Sequence, residues 1–325
     1  MIRYIFILLF LCFSLILEAQ STDIKNSLKN FDYQQAILLI SKEKKTAEMD
    51  FLAAKCYKNI AQYKKTIDLL KEIVRQNDSN IAAIIELADC YQLSGNFNKS
   101  KFYYFMALQS SPNNRYIQLS YLNIAFKLRD WKTIIHLANK MLQQDTLPSL
   151  YPVLGDCFTQ LSMKDSAIFY YKKEMDYYPE DYNTLAKLSK LYLVDGHYTK
   201  LINTTNRYMQ ADFSNQQINQ FNGMGHCMNK DYTRSIYRLR SLFQQGDSSF
   251  LTNYYLGASY YATEDYIQAF DHLKQAYKKD SSNLDLIFFL GKSAIMSGHQ
   301  LSGIRILKKG IELMTPKDSV LFNYY

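Results

Sequence analysis

His226 and Cys227 stand side by side, and their side-chain types are the ones here that could most readily do chemistry. An imidazole beside a thiol can ligate zinc or activate a cysteine nucleophile. Neither a second histidine nor a carboxylate follows at ligand spacing, and the sequence contains no Cys-x-x-Cys or His-Glu-x-x-His. The other histidines are dispersed, at His136, His197, His272 and His299. We therefore predict no catalytic site, no cofactor and no metal site, and we expect the chain not to be an enzyme.

The glycines next to this pair belong to a pattern that repeats every 34 residues. Gly223-Met224-Gly225 lacks the third glycine and the preceding strand that a dinucleotide-binding loop needs. At intervals of 34 residues, except for one interval of 33 between Leu122 and Gly155, the chain has mostly small residues. They are Ala54, Ala88, Leu122, Gly155, Ser189, Gly223, Gly257 and Gly291. Nine residues further on they reach Tyr63, Phe97, Trp131, Lys164, Tyr198, Tyr232, Tyr266 and Gln300. Apolar residues recur at helical spacing within each unit, so each unit is predicted to be a pair of helices.

These residues resemble tetratricopeptide repeats, which are helix–turn–helix units of 34 residues. The stretches "YYLGASYYATEDYIQAFDHLKQAYKKDSSN" and "LGDCFTQLSMKDSAIFYYKKEMDYYPED" carry the resemblance best, and eight units cover residues 47–317. Tyr33 and Ala36 occupy matching places in a partial repeat at residues 20–46, and residues 318–325 are a tail or the start of a further helix. The resemblance implies an all-α, right-handed superhelical solenoid of helix–turn–helix repeats.

The cysteines and His226 fall at fixed places in the repeat. Cys56, Cys90 and Cys157 share one position, about 8–10 Å apart in neighbouring units, which is too far for a disulfide. We predict that they are buried packing residues. Cys227 lies two positions further along, where it could face the groove, while His226 takes a position that tyrosine holds in four sister units. We expect His226 to be a core or interface residue.

Resemblance to the family also implies a binding groove, lined by the second, fifth, ninth, twelfth and thirteenth residues of each unit. In the late units these positions hold apolar residues: Leu193, Val194, Met224, Met228, Tyr254, Tyr261, Phe288, Ile295 and Met296. In the early units they hold a secondary polar set: Lys55, Lys58, Asp89, Gln92, Asn123 and Lys127. Methionine and aromatic side chains suit an apolar helix or extended peptide. The alternative is that the superhelix or a C-terminal element buries the same residues.

The N-terminus predicts export. Arg3 precedes an apolar run from Tyr4 to Leu17, and Glu18-Ala19-Gln20 follows. This order resembles Bacteroidota export signals cleaved after Ala19, so residues 1–19 are predicted to be a signal peptide. An uncleaved anchor is the alternative. With the signal removed, no membrane span is expected, and the protein is predicted to be periplasmic or secreted.

Charge and architecture together predict the class of partner. The formal charge of +8 is spread along the chain, without the basic patch of a nucleic-acid-binding protein. The sequence therefore favours a non-catalytic protein-protein interaction scaffold that binds a protein or peptide in its concave groove. One alternative is a carbohydrate-binding or envelope-polysaccharide accessory protein, and another is the sensory part of a signalling assembly. Homo-oligomerisation stays open.

Overall fold

The computed structural model describes residues 22–145, 147–209 and 214–314. The predicted signal segment and the tail at 318–325 lie outside these ranges. All regular structure in the described residues is helical, which confirms the predicted all-α class. The helices are residues 22–29 (α1), Tyr33–Ile40 (α2), Ala47–Asn59 (α3), Tyr63–Gln76 (α4), Ile81–Leu93 (α5), Phe97–Ser110 (α6), Arg115–Lys127 (α7), Trp131–Gln144 (α8), Leu150–Gln160 (α9), Lys164–Tyr177 (α10), Tyr182–Val194 (α11), Tyr198–Met209 (α12), Gln216–Met228 (α13), Tyr232–Gln244 (α14), Phe250–Ala262 (α15), Tyr266–Tyr277 (α16), Leu284–Met296 (α17) and Gln300–Leu313 (α18).

The helices form two compact units, which the sequence pattern did not separate. The N-terminal unit extends to residue 146 and holds α1 to α8, and the C-terminal unit begins at Leu147 and holds α9 to α18. Within the C-terminal unit the second helices α10, α12, α14 and α16 each pack between two first helices, as α12 does between α11 and α13. The first helices α11, α13, α15 and α17 also contact one another in order, so they form one continuous layer.

Many of the helices begin at capping residues that the sequence supplies. The side chain of Asn80 accepts a hydrogen bond from the backbone N–H of Ala83 at the start of α5, and Asn96 does the same for Lys99 in α6. Such caps satisfy N–H groups that have no partner inside the helix. The second helices of the eight units begin at the residues found nine positions after the small residue, from Tyr63 to Gln300.

One left-handed residue reverses the chain between the two helices of every hairpin. These residues are Phe31, Ala61, Gly95, Arg129, Ser162, Gly196, Lys230, Glu264 and Gly298, with φ between 55° and 91°. After Ala61, the N–H of Gln62 donates to the carbonyl of Tyr57 at 2.9 Å, which closes the end of α3. This arrangement is the usual way to end a helix with a left-handed residue.

The small residues of the repeat allow the paired helices to approach closely. A Cβ atom on Gly155 would lie 2.3 Å from the ring of Tyr171, and one on Gly257 would lie 2.6 Å from Cγ of Leu273. Tyr91, Tyr192 and Tyr260 are buried. These three repeated aromatic residues therefore fill the core between helices, whereas those at the start of the second helices, such as Tyr266, are half-buried.

Candidate partner-binding surface

Four of the first helices in the C-terminal unit end on an exposed apolar residue. Val194, Met228, Ala262 and Met296 are the last residues of α11, α13, α15 and α17. Val194 is 65% exposed, Met228 40% and Met296 59%, and Ala262 is also exposed. Because these four helices contact one another in order, the four residues form a row, which we call the apolar strip.

The residues just before the ends of these helices form the floor of the apolar strip. Leu193, Tyr261 and Ile295 are half-buried. The ring of Tyr261 lies 5.2 Å from that of Phe289 and 5.7 Å from that of Tyr266, measured between centroids. Tyr261 is thus held in place by its neighbours while part of its surface faces solvent.

Tyr254 and Phe288 are half-buried aromatic residues nearer the start of their helices. The ring of Tyr254 stacks on Phe250 at 5.7 Å, with 5° between the planes, and meets Tyr255 edge-on at 5.1 Å. Phe288 meets Phe289 at 5.4 Å. Burial, and to a lesser extent the charge of Asp285, raises the pKa of Tyr254, so its hydroxyl stays neutral. Each of the two rings thus contacts aromatic neighbours on its own helix.

Met224 does not lie on the surface, contrary to the sequence-based prediction. It is only 3% exposed. The cause lies in its two glycine neighbours: a Cβ on Gly223 would lie 2.6 Å from Leu239 in α14, and one on Gly225 would lie 3.0 Å from Leu201 in α12. Both second helices therefore approach α13 closely and enclose it. Cys227 is also buried and does not face a groove.

Two residues of the predicted polar set in the N-terminal unit, Lys58 and Asp89, belong to a network that is satisfied within the protein. Asp89 accepts hydrogen bonds from the hydroxyls of Tyr104 and, at 2.9 Å, Tyr116, and its Oδ2 lies 3.6 Å from Nζ of Lys58. Lys58 also bonds to Glu86. Burial acts to lower the pKa of Lys58, but the two carboxylates outweigh it and raise that pKa. The ammonium group is therefore charged and already paired.

The other predicted polar residues differ in their contacts. Lys55 Nζ lies 3.9 Å from Glu86, and Gln92 accepts a long hydrogen bond from Tyr104 at 3.4 Å, so both border the network. Lys127 instead lies over the ring of Phe97, at 4.9 Å, and Asn123 is exposed on α7.

The same network recurs in the C-terminal unit, where sequence analysis missed it. Asp156 accepts hydrogen bonds from the hydroxyl of Tyr171 at 2.7 Å and from Nζ of Lys187 at 2.8 Å. Asp156 and Tyr171 are 15 residues apart, as are Asp89 and Tyr104. This shared spacing was a sequence signal that could have revealed both networks.

His226 is a buried histidine, as expected, with a carboxylate partner that the sequence analysis did not anticipate. Its Nδ1 lies 3.2 Å from Oδ2 of Asp231, which also accepts from Arg234 at 2.9 Å. Burial lowers the pKa of His226 despite Asp231, so the ring is neutral at pH 7. The described residues contain no group of three His, Cys, Asp or Glu side chains placed to hold a metal ion.

The repeated cysteines are buried, as predicted. Cys56, Cys90 and Cys157 have no exposed surface. Burial raises the pKa of Cys90 and of Cys157 to about 11, so both are protonated at neutral pH. A buried neutral thiol is a packing residue rather than a nucleophile.

Comparisons with known proteins find similarity at the level of solved structures. A MamA protein of Desulfovibrio magneticus is 15% identical over 51% of this chain and 94% of that chain, with a TM-score of 0.46. YrrB, described as a TPR protein with an unusual peptide-binding site, is 11% identical over 55% of this chain and 92% of that chain, with a TM-score of 0.45. A tetratricopeptide repeat protein of Parabacteroides merdae is 12% identical over 86% of this chain and 96% of that chain, with a TM-score of 0.41. No protein-family model and no curated protein matches the sequence.

Within the described ranges, no helix is both long enough and apolar enough to cross a membrane.

Proposed function

We propose that the chain is a non-catalytic protein-protein interaction scaffold that binds an apolar segment of a partner protein or peptide on the apolar strip. The observation that carries this proposal is the row formed by Val194, Met228, Ala262 and Met296. Contiguous apolar surface rimmed by polar residues is typical of an interaction site. Methionine is flexible and polarisable, so it adapts to different apolar side chains.

Backbone hydrogen bonding at the apolar strip favours side-chain contacts over strand addition. The carbonyls of Leu193, Cys227, Tyr261 and Ile295 each accept from the N–H of the left-handed turn residue, at 2.9–3.3 Å. A strand-like partner would need unpaired backbone groups to pair with. A helix that presents apolar side chains needs none. We therefore expect the bound segment to be an amphipathic helix.

The spacing of the strip also fits a helix. Packed helices lie about 8–10 Å apart, and seven residues of an α-helix rise about 10.5 Å. A helix crossing α11, α13, α15 and α17 would thus place one apolar residue of each heptad over each repeat. The expected partner sequence carries apolar residues about seven positions apart over at least three heptads.

We propose further that this binding takes place outside the cytoplasm, in the periplasm or after secretion. The support is the sequence of residues 1–19, with its basic start, apolar run and Ala19. A carbohydrate ligand fits the surface less well, because sugar-binding aromatic residues need an exposed ring face. Here the ring of Tyr254 stacks on Phe250 at 5.7 Å.

The proposal is tested by capturing partners from the envelope fraction with residues 20–325. A variant with Val194→Ser, Met228→Ser and Met296→Ser is compared with the wild type. The matched control carries Phe169→Ser, Tyr237→Ser and Ile267→Ser, which replace similarly exposed apolar residues on second helices. Circular dichroism checks that both variants fold.

We expect the control to retain the partner captured by the wild type, and the strip variant to lose at least nine-tenths of it. Equal recovery by a folded strip variant would show that the partner binds elsewhere on the chain.

A further inference from the structure

Glu174 occupies a core position of α10 where every sister repeat has an apolar residue or glycine. The equivalent residues are Ile73, Ala107, Met141, Tyr208, Leu242, Ala276 and Gly310. Glu174 is itself only 5% exposed, and its Oε2 has no hydrogen-bond partner. A buried carboxylate oxygen without a partner lowers stability, so this exchange of an apolar residue for an acid calls for a compensating role.

A second acid lies beside Glu174, again at a position where the sister repeats are neutral. Asp181 caps α11 by accepting from the N–H groups of Asn183 and Thr184, at 3.1 and 3.2 Å. The first helices of the other seven units are preceded by Thr46, Asn80, Asn114, Ser149, Asn215, Ser249 and Asn283. The two acidic substitutions thus occur together, at the junction of α10 and α11.

This junction forms an open pocket with an acidic base and an aromatic rim, which we call the acid pocket. Glu174, Tyr177, Tyr178, Pro179, Glu180 and Asp181 line its volume of about 540 Å³. Tyr177 and Tyr178 are each about half exposed. The ring of Tyr177 stacks on Tyr151 of α9 at 5.8 Å, which fixes its orientation.

We propose that the acid pocket binds an organic cation that can donate a hydrogen bond, namely a primary ammonium or guanidinium group. One N–H would donate to Oε2 of Glu174, and the carboxylates of Asp181 and Glu180 would balance the charge. The faces of Tyr177 and Tyr178 attract a cation through their π electrons. This function is independent of the apolar strip.

The unpartnered oxygen distinguishes between classes of cation. A quaternary ammonium group can lie against the tyrosines but cannot donate to Oε2, so it would leave that atom unsatisfied. A bare metal ion is disfavoured because no trio of suitably placed His, Cys, Asp or Glu side chains occurs in the described residues. The pocket therefore fits lysine-like and arginine-like groups best.

Binding to the acid pocket is expected to depend on pH through Glu174. Burial first, and then the charge of Asp181, raises the pKa of Glu174 to about 6. The groups facing it are Tyr151 from α9, Tyr177 from its own helix and Asp181 from the start of α11. At pH 7 Glu174 is mostly ionised and accepts the donor, whereas at pH 5 it is mostly protonated. Affinity should fall about tenfold between these values.

The test is a calorimetric titration of residues 20–325 at pH 7 with three probes: butylammonium, ethylguanidinium and tetramethylammonium chloride. We expect the first two to bind and tetramethylammonium to bind at least tenfold more weakly. Glu174→Gln, which keeps the shape of the side chain but not its charge, should weaken butylammonium binding at least tenfold. Asp176→Asn removes an exposed acid from the same helix and should leave binding unchanged.

A variant of the aromatic rim and an NMR measurement on the wild type test the proposal even if Glu174→Gln does not fold. Tyr178→Ala changes an exposed side chain, and we expect it to weaken butylammonium binding severalfold. Butylammonium should also lower the pKa of the Glu174 carboxyl, followed by its ¹³C resonance. Equal binding by Glu174→Gln and the wild type, equal binding of tetramethylammonium, or no binding by any probe would each overturn the proposal.

Discussion

One position of the repeat carries mainly polar residues in the N-terminal unit and mainly apolar residues in the C-terminal unit. This difference distinguishes residues that the packing of the fold requires from residues that are available for binding. At the last position of the first helix, the N-terminal unit has Asn59, Leu93 and Lys127, a mainly polar set. In four consecutive hairpins of the C-terminal unit, this position is occupied by the residues of the apolar strip. The fold tolerates either character there, so packing does not require the apolar residues.

The aspartate networks, in contrast, are alike in the two units, which indicates a structural role. Asp89 with Tyr104 and Asp156 with Tyr171 make the same contact between the two helices of a hairpin. In both networks a lysine also approaches the aspartate. A feature that recurs with its partners supplied internally stabilises the hairpin and leaves little for a ligand to bind.

The largest expected effect comes from breaking one of these networks. Asp89→Ala removes the carboxylate that accepts from the hydroxyls of Tyr104 and Tyr116, and it leaves the ammonium of Lys58 paired with Glu86 alone. We expect the free energy of unfolding to fall by about 2–4 kcal/mol. The measurement is urea denaturation followed by circular dichroism, with Asp68→Ala, an exposed acid of α4, as the control.

If Asp89→Ala were as stable as the Asp68→Ala control, the network would not be structural. Its charged groups would then become candidates for binding a polar ligand, and the contrast between the two units would disappear.

An effect of opposite sign is expected at Glu174. Glu174→Met replaces a buried carboxylate by an apolar residue of similar volume, like those of the sister repeats. At pH 7 we expect the free energy of unfolding to rise by about 1–2 kcal/mol. Between the ordinary pKa of 4.5 and the folded value of about 6, the folded chain holds more protons than the unfolded chain. Glu174 therefore destabilises the fold progressively as pH rises through this window.

The gain from Glu174→Met should accordingly be larger at pH 7 than at pH 4, as measured by thermal unfolding in the two buffers. A gain that did not depend on pH would mean that the carboxyl is not titrating in the buried environment described above.

The smallest expected effect concerns the turns, which are alike in both units. Arg129 and Lys230 are exposed residues in the left-handed conformation, at φ of 55° and 62°. Glycine adopts this conformation without the steric cost of a Cβ, although it loses more entropy on folding. We expect Arg129→Gly and Lys230→Gly each to stabilise by about 0.5 kcal/mol, or about 1–2 °C in Tm. Unequal shifts would show that the two units do not share this turn geometry.

The helical hairpins could be predicted from sequence because their residues repeat. Small residues such as Gly257 mark the close approach of helices, and nine positions later residues such as Tyr266 begin second helices. This regularity reflects the geometry within a single hairpin, which every unit shares. The division of the chain near residue 146 could not be predicted, because it depends on contacts between helices and leaves the spacing of the repeat almost unchanged.

Individual site residues were less predictable, since their exposure depends on their neighbours. Met224 occupies a position that the repeat pattern assigns to the groove, but Gly223 and Gly225 bring α14 and α12 against its helix and bury it. Glu174 gave no motif of its own. It stands out when the repeats are aligned, because the sister repeats have an apolar residue or glycine at this position, and its burial then shows that the position belongs to the core.

Site-specific photo-crosslinking in the envelope tests the central claim most directly. The photoreactive residue p-benzoylphenylalanine is placed at Met228 in the apolar strip and, in a separate variant, at Ile267, an exposed apolar residue on α16. We predict a discrete crosslinked product from position 228 and none of the same mass from position 267. A product from position 267 alone, or identical products from both positions, would contradict the assignment of the apolar strip as the partner-binding surface.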